Sequence, residues 1–172
     1  TADYVEGRGN PKLTLNNVTG IEIGDLINIV STELYDTARE YYFKGGNFLI
    51  TRIVGNVVTF DGSMPFDMAA SSIEVKIYNP STVKLSNVNR LTNTRLVADT
   101  LYGISLNYCK NIEIEGFNTD NYRYNFNINR CVNGSITNVN TGHAKNLSDS
   151  ESGAYDAYGI TLQSCNNITC NN

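Results

Sequence analysis

Three segments of the chain lie on one ruler. Tyr102-Gly-Ile-Ser-Leu-Asn-Tyr-Cys109, Tyr124-Asn-Phe-Asn-Ile-Asn-Arg-Cys131 and Tyr158-Gly-Ile-Thr-Leu-Gln-Ser-Cys165 each run seven residues from Tyr to Cys. Two residues after each Cys stands Asn111, Asn133 or Asn167, and three residues further Ile114, Ile136 or Cys170. A spacing laid down three times marks a repeat architecture. The step from the first copy to the second is 22 residues, too short for a helix pair and suited to one turn of a parallel β-solenoid.

The register within each copy agrees. Apolar side chains alternate as Ile104 and Leu106, Phe126 and Ile128, Ile160 and Leu162, which is the period of a strand with one buried face. Between and beside them Ser105 and Asn107, Asn127 and Asn129, Thr161 and Gln163 are expected to face outward. The Cys-x-Asn corner leads to a second short strand with Ile112 and Ile114, or Ile168 and Cys170, inward. Asn suits such a corner because it tolerates left-handed backbone, and stacked Asn side chains can bond one another in a ladder. The fold class expected is all-β: a right-handed, single-stranded parallel β-helix.

Cys109, Cys131 and Cys165 fall at the same corner of successive coils, and Cys170 at an inward position. This reads as stacked free thiols packing as small apolar groups rather than a disulfide framework. With no Cys-x-x-Cys pair and a single histidine, no zinc site is expected, nor any other metal or cofactor. A net charge of −4 argues against a nucleic-acid partner. No run of 18 apolar residues is present, so no membrane insertion is expected. The chain opens without Met or signal peptide and stops at Asn172 one strand into a coil, which reads as a fragment cut from a longer solenoid.

The first half has a different texture, and the expected division is 1–80 and 81–172. Leu13–Val30 reads as strand, turn, strand, with a bend at Gly24-Asp25. Ser31–Lys44 reads either as a short helix capped by Ser31 and stopped by Gly45-Gly46, or as an irregular loop, since Tyr41-Tyr42-Phe43 favour strand. Phe48–Val54 and Val57–Phe60 flank Gly55-Asn56, a hairpin signal. Ile73–Ile77 alternates as a strand. Residues 24–78 therefore read as a small β-rich insert or cap. Val83-Lys-Leu-Ser-Asn-Val88 matches Ile112-Glu-Ile-Glu-Gly-Phe117, so coils begin near residue 81.

Taken together, Gly24-Asp25-Leu-Ile-Asn-Ile, Tyr41-Tyr42-Phe-Lys-Gly45 and Ile53-Val-Gly-Asn-Val-Val-Thr-Phe60 resemble the lead-in segment of bacteriophage tail spikes and appendages. The Tyr-Gly-Ile-x-Leu…Cys-x-Asn-Ile repeat at 102–112 and 158–168 is similar to coils of the pectate-lyase-like superfamily. The resemblance implies a virion location with action at the host cell surface, homotrimers, binding of bacterial surface glycans, and often glycan cleavage.

A site must be found in residues, because this fold hosts enzymes, binders and inert stalks alike. The second coil-to-coil step is 34 residues, an insertion of 12 within Thr141–Ala157, and solenoids grow such loops on a binding face. The loop carries His143, Lys145, Asp149, Glu151, Tyr155 and Asp156. Asp99, Asp120 and Asp156 each lie two to four residues before the Tyr that opens a coil, which is expected to align them along one edge. Carboxylates on adjacent coils would then stand at a glycosidase-like separation of about 5–9 Å. Asp156 before Tyr158-Gly-Ile160 and Asp120 in Asn118-Thr-Asp120 resemble the acids of polygalacturonases. The doubled Asp-Asp and the Gly-His-Gly of that family are missing.

An inverting hydrolase would use Asp156 as acid and Asp120 as base. His143 or Lys145 would hold a sugar carboxylate or phosphate. A lyase would instead use a base such as Lys145 with a cation at the uronate. Tyr102, Tyr124 and Tyr158 read as a packing stack; Tyr122 and Tyr155, outside that register, read as an exposed platform for sugar rings. The competing reading of the acids is ordinary turn chemistry. The competing functions are a non-catalytic receptor-binding spike and a structural stalk.

Overall fold

The computed structural model describes residues 8–87, 91–92, 102–120, 122, 124–142 and 158–171. Among these the chain is built from strands, with a single 3-10 turn at Ala70–Ser72. It forms two compact units, Thr1–Pro80 and Ser81–Asn172.

The first unit is an antiparallel sheet of β1 (Lys12–Thr14), β2 (Leu26–Leu34), β3 (Phe43–Val54), β4 (Val57–Phe60) and β5 (Ile73–Tyr78), in the order β1-β4-β3-β2-β5. The hairpin β3–β4 turns at Gly55, whose φ of +56° is the left-handed value that the Gly-Asn signal requires. Gly24, with φ of +92°, makes the expected bend. One face of the sheet buries Leu13, Ile27, Ile29, Ile50, Val58 and Phe60 beneath Met64.

Strand β1 pairs with β4, Leu13 lying opposite Val58. One local expectation is corrected. Ser31–Lys44 is not a helix. Strand β2 continues to Leu34 and β3 starts at Phe43. Ser31 is 2% exposed and its hydroxyl lies 2.8 Å from that of Ser72, so it is a buried strand residue rather than a cap. Pairing on both sides, with β3 and with β5, outweighs the cap-and-stop signals.

The second unit is the expected solenoid. Its strands are β6 (Thr82–Ser86), β7 (Leu91–Thr92), β8 (Tyr102–Asn107), β9 (Lys110–Glu115), β10 (Asn118–Asp120), β11 (Tyr124–Asn129), β12 (Val132–Thr137), β13 (Asn140–Thr141), β14 (Tyr158–Gln163) and β15 (Asn166–Asn171). They form three parallel sheets, β7-β10-β13, β8-β11-β14 and β6-β9-β12-β15. This is a parallel β-helix, and its register is the sequence ruler. Tyr102, Tyr124 and Tyr158 are neighbours, as are Ile114, Ile136 and Cys170. Leu85 lies beside Ile114, so the coils begin where the 83–88 match places them.

The core follows from the alternation. Ile112, Ile114, Phe126, Ile128 and Ile136 are at most 1% exposed. Cys170 shares their register but is exposed, since among the described residues no strand pairs beyond β15. All four cysteines are free. Each thiol of the column donates to the carbonyl two residues back: Cys109 to Asn107 (3.4 Å), Cys131 to Asn129 (3.3 Å), Cys165 to Gln163 (3.4 Å). A hydrogen bond with Cys165, and then burial, push the Cys131 thiol's ionisation up, so it remains protonated.

Candidate functional site

The sheets β7-β10-β13 and β8-β11-β14 meet at one corner of the coil, and the links across it are unequal. Nine residues (93–101) join β7 to β8, three (121–123) join β10 to β11, and sixteen (142–157) join β13 to β14. Two long connections therefore leave the same corner in coils on either side of a short one. The second is the insertion expected from the 34-residue step. The first escapes the Tyr–Cys ruler because that ruler starts only at Tyr102.

Asp120 ends β10 at this corner. In register its neighbours are Thr92 on one side and, one step past the Thr119–Thr141 pair, Gly142 on the other. The Asp120 carboxylate lies against Gly142: a Cβ built there would stand 2.7 Å from Oδ1. The Gly142 N–H donates to the Thr119 carbonyl at 2.8 Å, which closes the rung. Gly142 is thus required by the carboxylate above it, and it is the residue from which the insertion departs. The expected alignment of Asp120 with Asp99 and Asp156 along one edge involves two residues that lie outside the described ones. The positions beside Asp120 in the adjoining coils are Thr92 and Gly142, neither of them acidic.

His143, Lys145, Asp149, Glu151, Tyr155 and Asp156 lie outside the described residues, as does Asp99. Tyr122 is described, and it corrects an expectation. It is 8% exposed rather than an open platform, because its ring packs on Gly103, where a Cβ would come within 2.9 Å of a ring carbon. The glycine of the Tyr-Gly-Ile motif therefore has a packing cause. In the third coil Gly159 plays the same part beneath Thr141, whose hydroxyl would meet a Cβ at 2.5 Å.

Of the expected tyrosine stack, Tyr102 and Tyr124 are in place, their ring centroids 5.2 Å apart at 31°. Tyr102 remains 44% exposed, so the column is also a surface. Beyond it the outward strip is knit together: Asn129 donates to Asn107 at 3.1 Å and Asn127 to Ser105 at 3.2 Å. Asn127 is only 8% exposed, so that position is more enclosed than alternation alone suggests.

Two features were not legible in sequence. The Arg130 guanidinium sits 5.5 Å from the Tyr108 ring centroid, a cation–π contact between neighbouring coils. Asn125 and Thr119 are 0% and 1% exposed, with the Asn125 amide and Thr119 hydroxyl making no hydrogen bond to protein. Among the described residues no three His, Cys, Asp or Glu side chains converge as metal ligands, and no helix is long and apolar enough to cross a membrane.

No family model and no curated protein matches the chain. Solved structures do. The chain is similar to the tailspike protein gp49 of Pseudomonas phage LKA1, with TM-score 0.73 and 16% identity over 97% of this chain and 27% of that one. It is similar to the tailspike gp61 of Pseudomonas phage phi297, with TM-score 0.71 and 18% identity over 98% of this chain and 30% of the other. A third likeness is the Gp54 tailspike of Acinetobacter baumannii bacteriophage AP22, solved in complex with A. baumannii capsular saccharide: TM-score 0.67, 20% identity, 99% of this chain and 28% of that. The chain thus spans under a third of the length of these proteins. At such identities the likeness is one of fold: from its antiparallel sheet to its last described coil, the chain folds like the matching part of these phage tailspikes.

Proposed function

We propose that the chain is part of a phage tailspike that binds a bacterial surface polysaccharide or wall glycopolymer and cleaves it. It would act as a homotrimer on the virion, at the host surface. The observation that carries this reading is the tailspike architecture together with Asp120 held at the root of a coil insertion rich in ionisable side chains. The neighbour bound to capsular saccharide supports the ligand class.

The chemistry favoured is inverting hydrolysis. Asp120 takes a proton from water as that water attacks the anomeric carbon; the glycosidic C–O bond breaks and Asp156 protonates the departing oxygen. His143, Lys145, Asp149, Glu151 and Tyr155 would hold the sugar, the two basic groups suiting a carboxylate or phosphate on it. Glycoside hydrolysis is preferred to lyase chemistry because two carboxylates suffice for it.

Binding without cleavage is the second reading, and the exposed Tyr102 beside Tyr124 favours it, since such rings offer a face to sugars without any acid. The test is release of new chain ends from a panel of bacterial surface glycans by the full-length protein beside Asp120→Asn and Asp156→Asn. The expected result is a loss of at least about 100-fold in both variants with unchanged folding. Equal activity in all three would remove the chemistry from these residues. Retention of glycan with no release from any of them would leave a receptor-binding spike.

A further inference from the structure

Four of the most exposed large apolar side chains gather at the end of the β2–β3 hairpin. Tyr35, Tyr41, Tyr42 and Phe43 are 61%, 69%, 44% and 51% exposed. The loop bearing them is ordered by its own hydrogen bonds. Tyr35 N–H donates to the Tyr42 carbonyl at 2.7 Å, and Arg39 and Tyr42 N–H groups donate to the Asp36 and Arg39 carbonyls at 3.1 Å. The Asp36 carboxylate accepts from Ala38 N–H at 2.9 Å. The rings are braced in turn: Tyr35 against Phe66 (centroids 5.1 Å), Tyr42 beneath the Arg39 guanidinium (5.4 Å), and Tyr41 against Tyr42 (4.7 Å, 48°). Holding aromatic rings fixed in water loses the burial they would gain elsewhere, and patches of this kind mark contact sites.

Area and chemistry select the occupant. The exposed parts of the four rings amount to about 450 Å², taking roughly 200 Å² for a whole aromatic side chain. A stable protein–protein contact needs about 800 Å² on each side. The patch is half that, a fit for a few sugar rings. Its large apolar side chains are all aromatic. Its rim is made of phenol hydroxyls, Arg39 and Glu40, both exposed. A pyranose presents a C–H face that packs on an aromatic face, where the ring quadrupole is negative, and equatorial hydroxyls that bond to such a rim.

We propose that this hairpin tip is a second carbohydrate-binding platform, separate from the coil corner. It rests on the glycan-engaging reading of the chain. The rings are held in place beforehand, so little conformational entropy is lost on binding.

The test uses the full-length protein in an Asp120→Asn background, so that the polymer survives, with capsular polysaccharides and their oligosaccharides as probes. Tyr41→Ala with Tyr42→Ala is expected to weaken polysaccharide retention at least fivefold, with unchanged circular dichroism and sedimentation. Tyr41→Phe with Tyr42→Phe keeps the stacking faces and is expected to stay within twofold of the parent. Unchanged affinity in the alanine variant overturns the platform. A changed sedimentation coefficient with unchanged oligosaccharide binding also overturns it and assigns the tip to contacts between copies. Failure of the parent itself to retain any polysaccharide would sink the glycan reading and this inference together, a result distinct from the other two.

Discussion

Left-handed backbone in the coils is carried by residues of unequal fitness. Asn111, Asn133 and Asn167 sit at φ of 48°, 55° and 54°, and the Asn167 amide donates to the Asn133 carbonyl oxygen at 2.8 Å. Asparagine accepts this region readily, and the Asn167 amide is spent on the preceding coil. Asn133→Ala is expected to cost about 1–2 kcal/mol, from both the strained backbone and the broken ladder. Asn133→Gly should cost less, and urea unfolding of the two variants decides it. The neighbouring column, Tyr108, Arg130 and Ser164 at φ of 53°, 51° and 51°, has no such preference. Its conformation is imposed by stacking, so nothing in those residue types announced it. Cys131 makes the parallel case for the thiols: fully buried, it donates to the carbonyls of Asn129 and of Leu106 in the preceding coil (3.6 Å). Cys131→Ala should destabilise by about 1–2 kcal/mol, read from the same urea midpoint, through lost packing and loss of the sulfur that accepts from the Cys109 N–H at 3.4 Å.

Among elements, the antiparallel sheet depends on one carboxylate to fasten its long loop. Glu33 on β2 accepts from Lys44 Nζ at 2.8 Å, from Ala69 N–H at 2.7 Å and from Ser72 Oγ at 3.0 Å. These contacts, Lys44 first, hold its pKa down at about 2 against an ordinary 4.5. A depressed carboxylate contributes stability above its unfolded pKa and loses it as pH falls through the folded one. The fastening of residues 67–72 is therefore expected to weaken between about pH 4.5 and pH 2. Chemical shifts of the Ala69 and Ser72 amides followed through an acid titration check this, and Glu33→Gln should abolish the transition. Glu33 also shows why the 31–44 stretch misled. Its Ser, Glu and Gly-Gly punctuation is that of a helix, but the Ser31 hydroxyl meets that of Ser72 and the Glu33 carboxylate holds Lys44, Ala69 and Ser72, partners outside any local helical turn. The hairpin at Gly55-Asn56 was legible because its signal is entirely local.

On the scale of the whole molecule, the two units have separate cores, one around Ile29, Ile50 and Val58, the other around Ile114, Phe126 and Ile128. Phe126 is fully buried and packs edge-on to Phe117 at 5.6 Å. Phe126→Ala should cost about 3–5 kcal/mol. Hydrogen exchange is expected to accelerate across the coils while β1–β5 keep their protection; uniform acceleration would show that the units unfold as one.

The coils were determined by the sequence itself, because a repeat states the same local solution three times and stacking turns periodicity into register. That covers the inward faces, the asparagine and cysteine columns and the start of the coils near residue 81. Where Asp120 stands was decided only in three dimensions. Its neighbours are set by how many residues cross the corner before and after it, and loop length carries no periodic signal. Exposure was likewise decided in three dimensions: Tyr122 is buried against Gly103 of another coil, while Tyr35, Tyr41 and Tyr42 stand in solvent. Burial belongs to what packs on a residue, and for Tyr122 that is a residue outside its own strand.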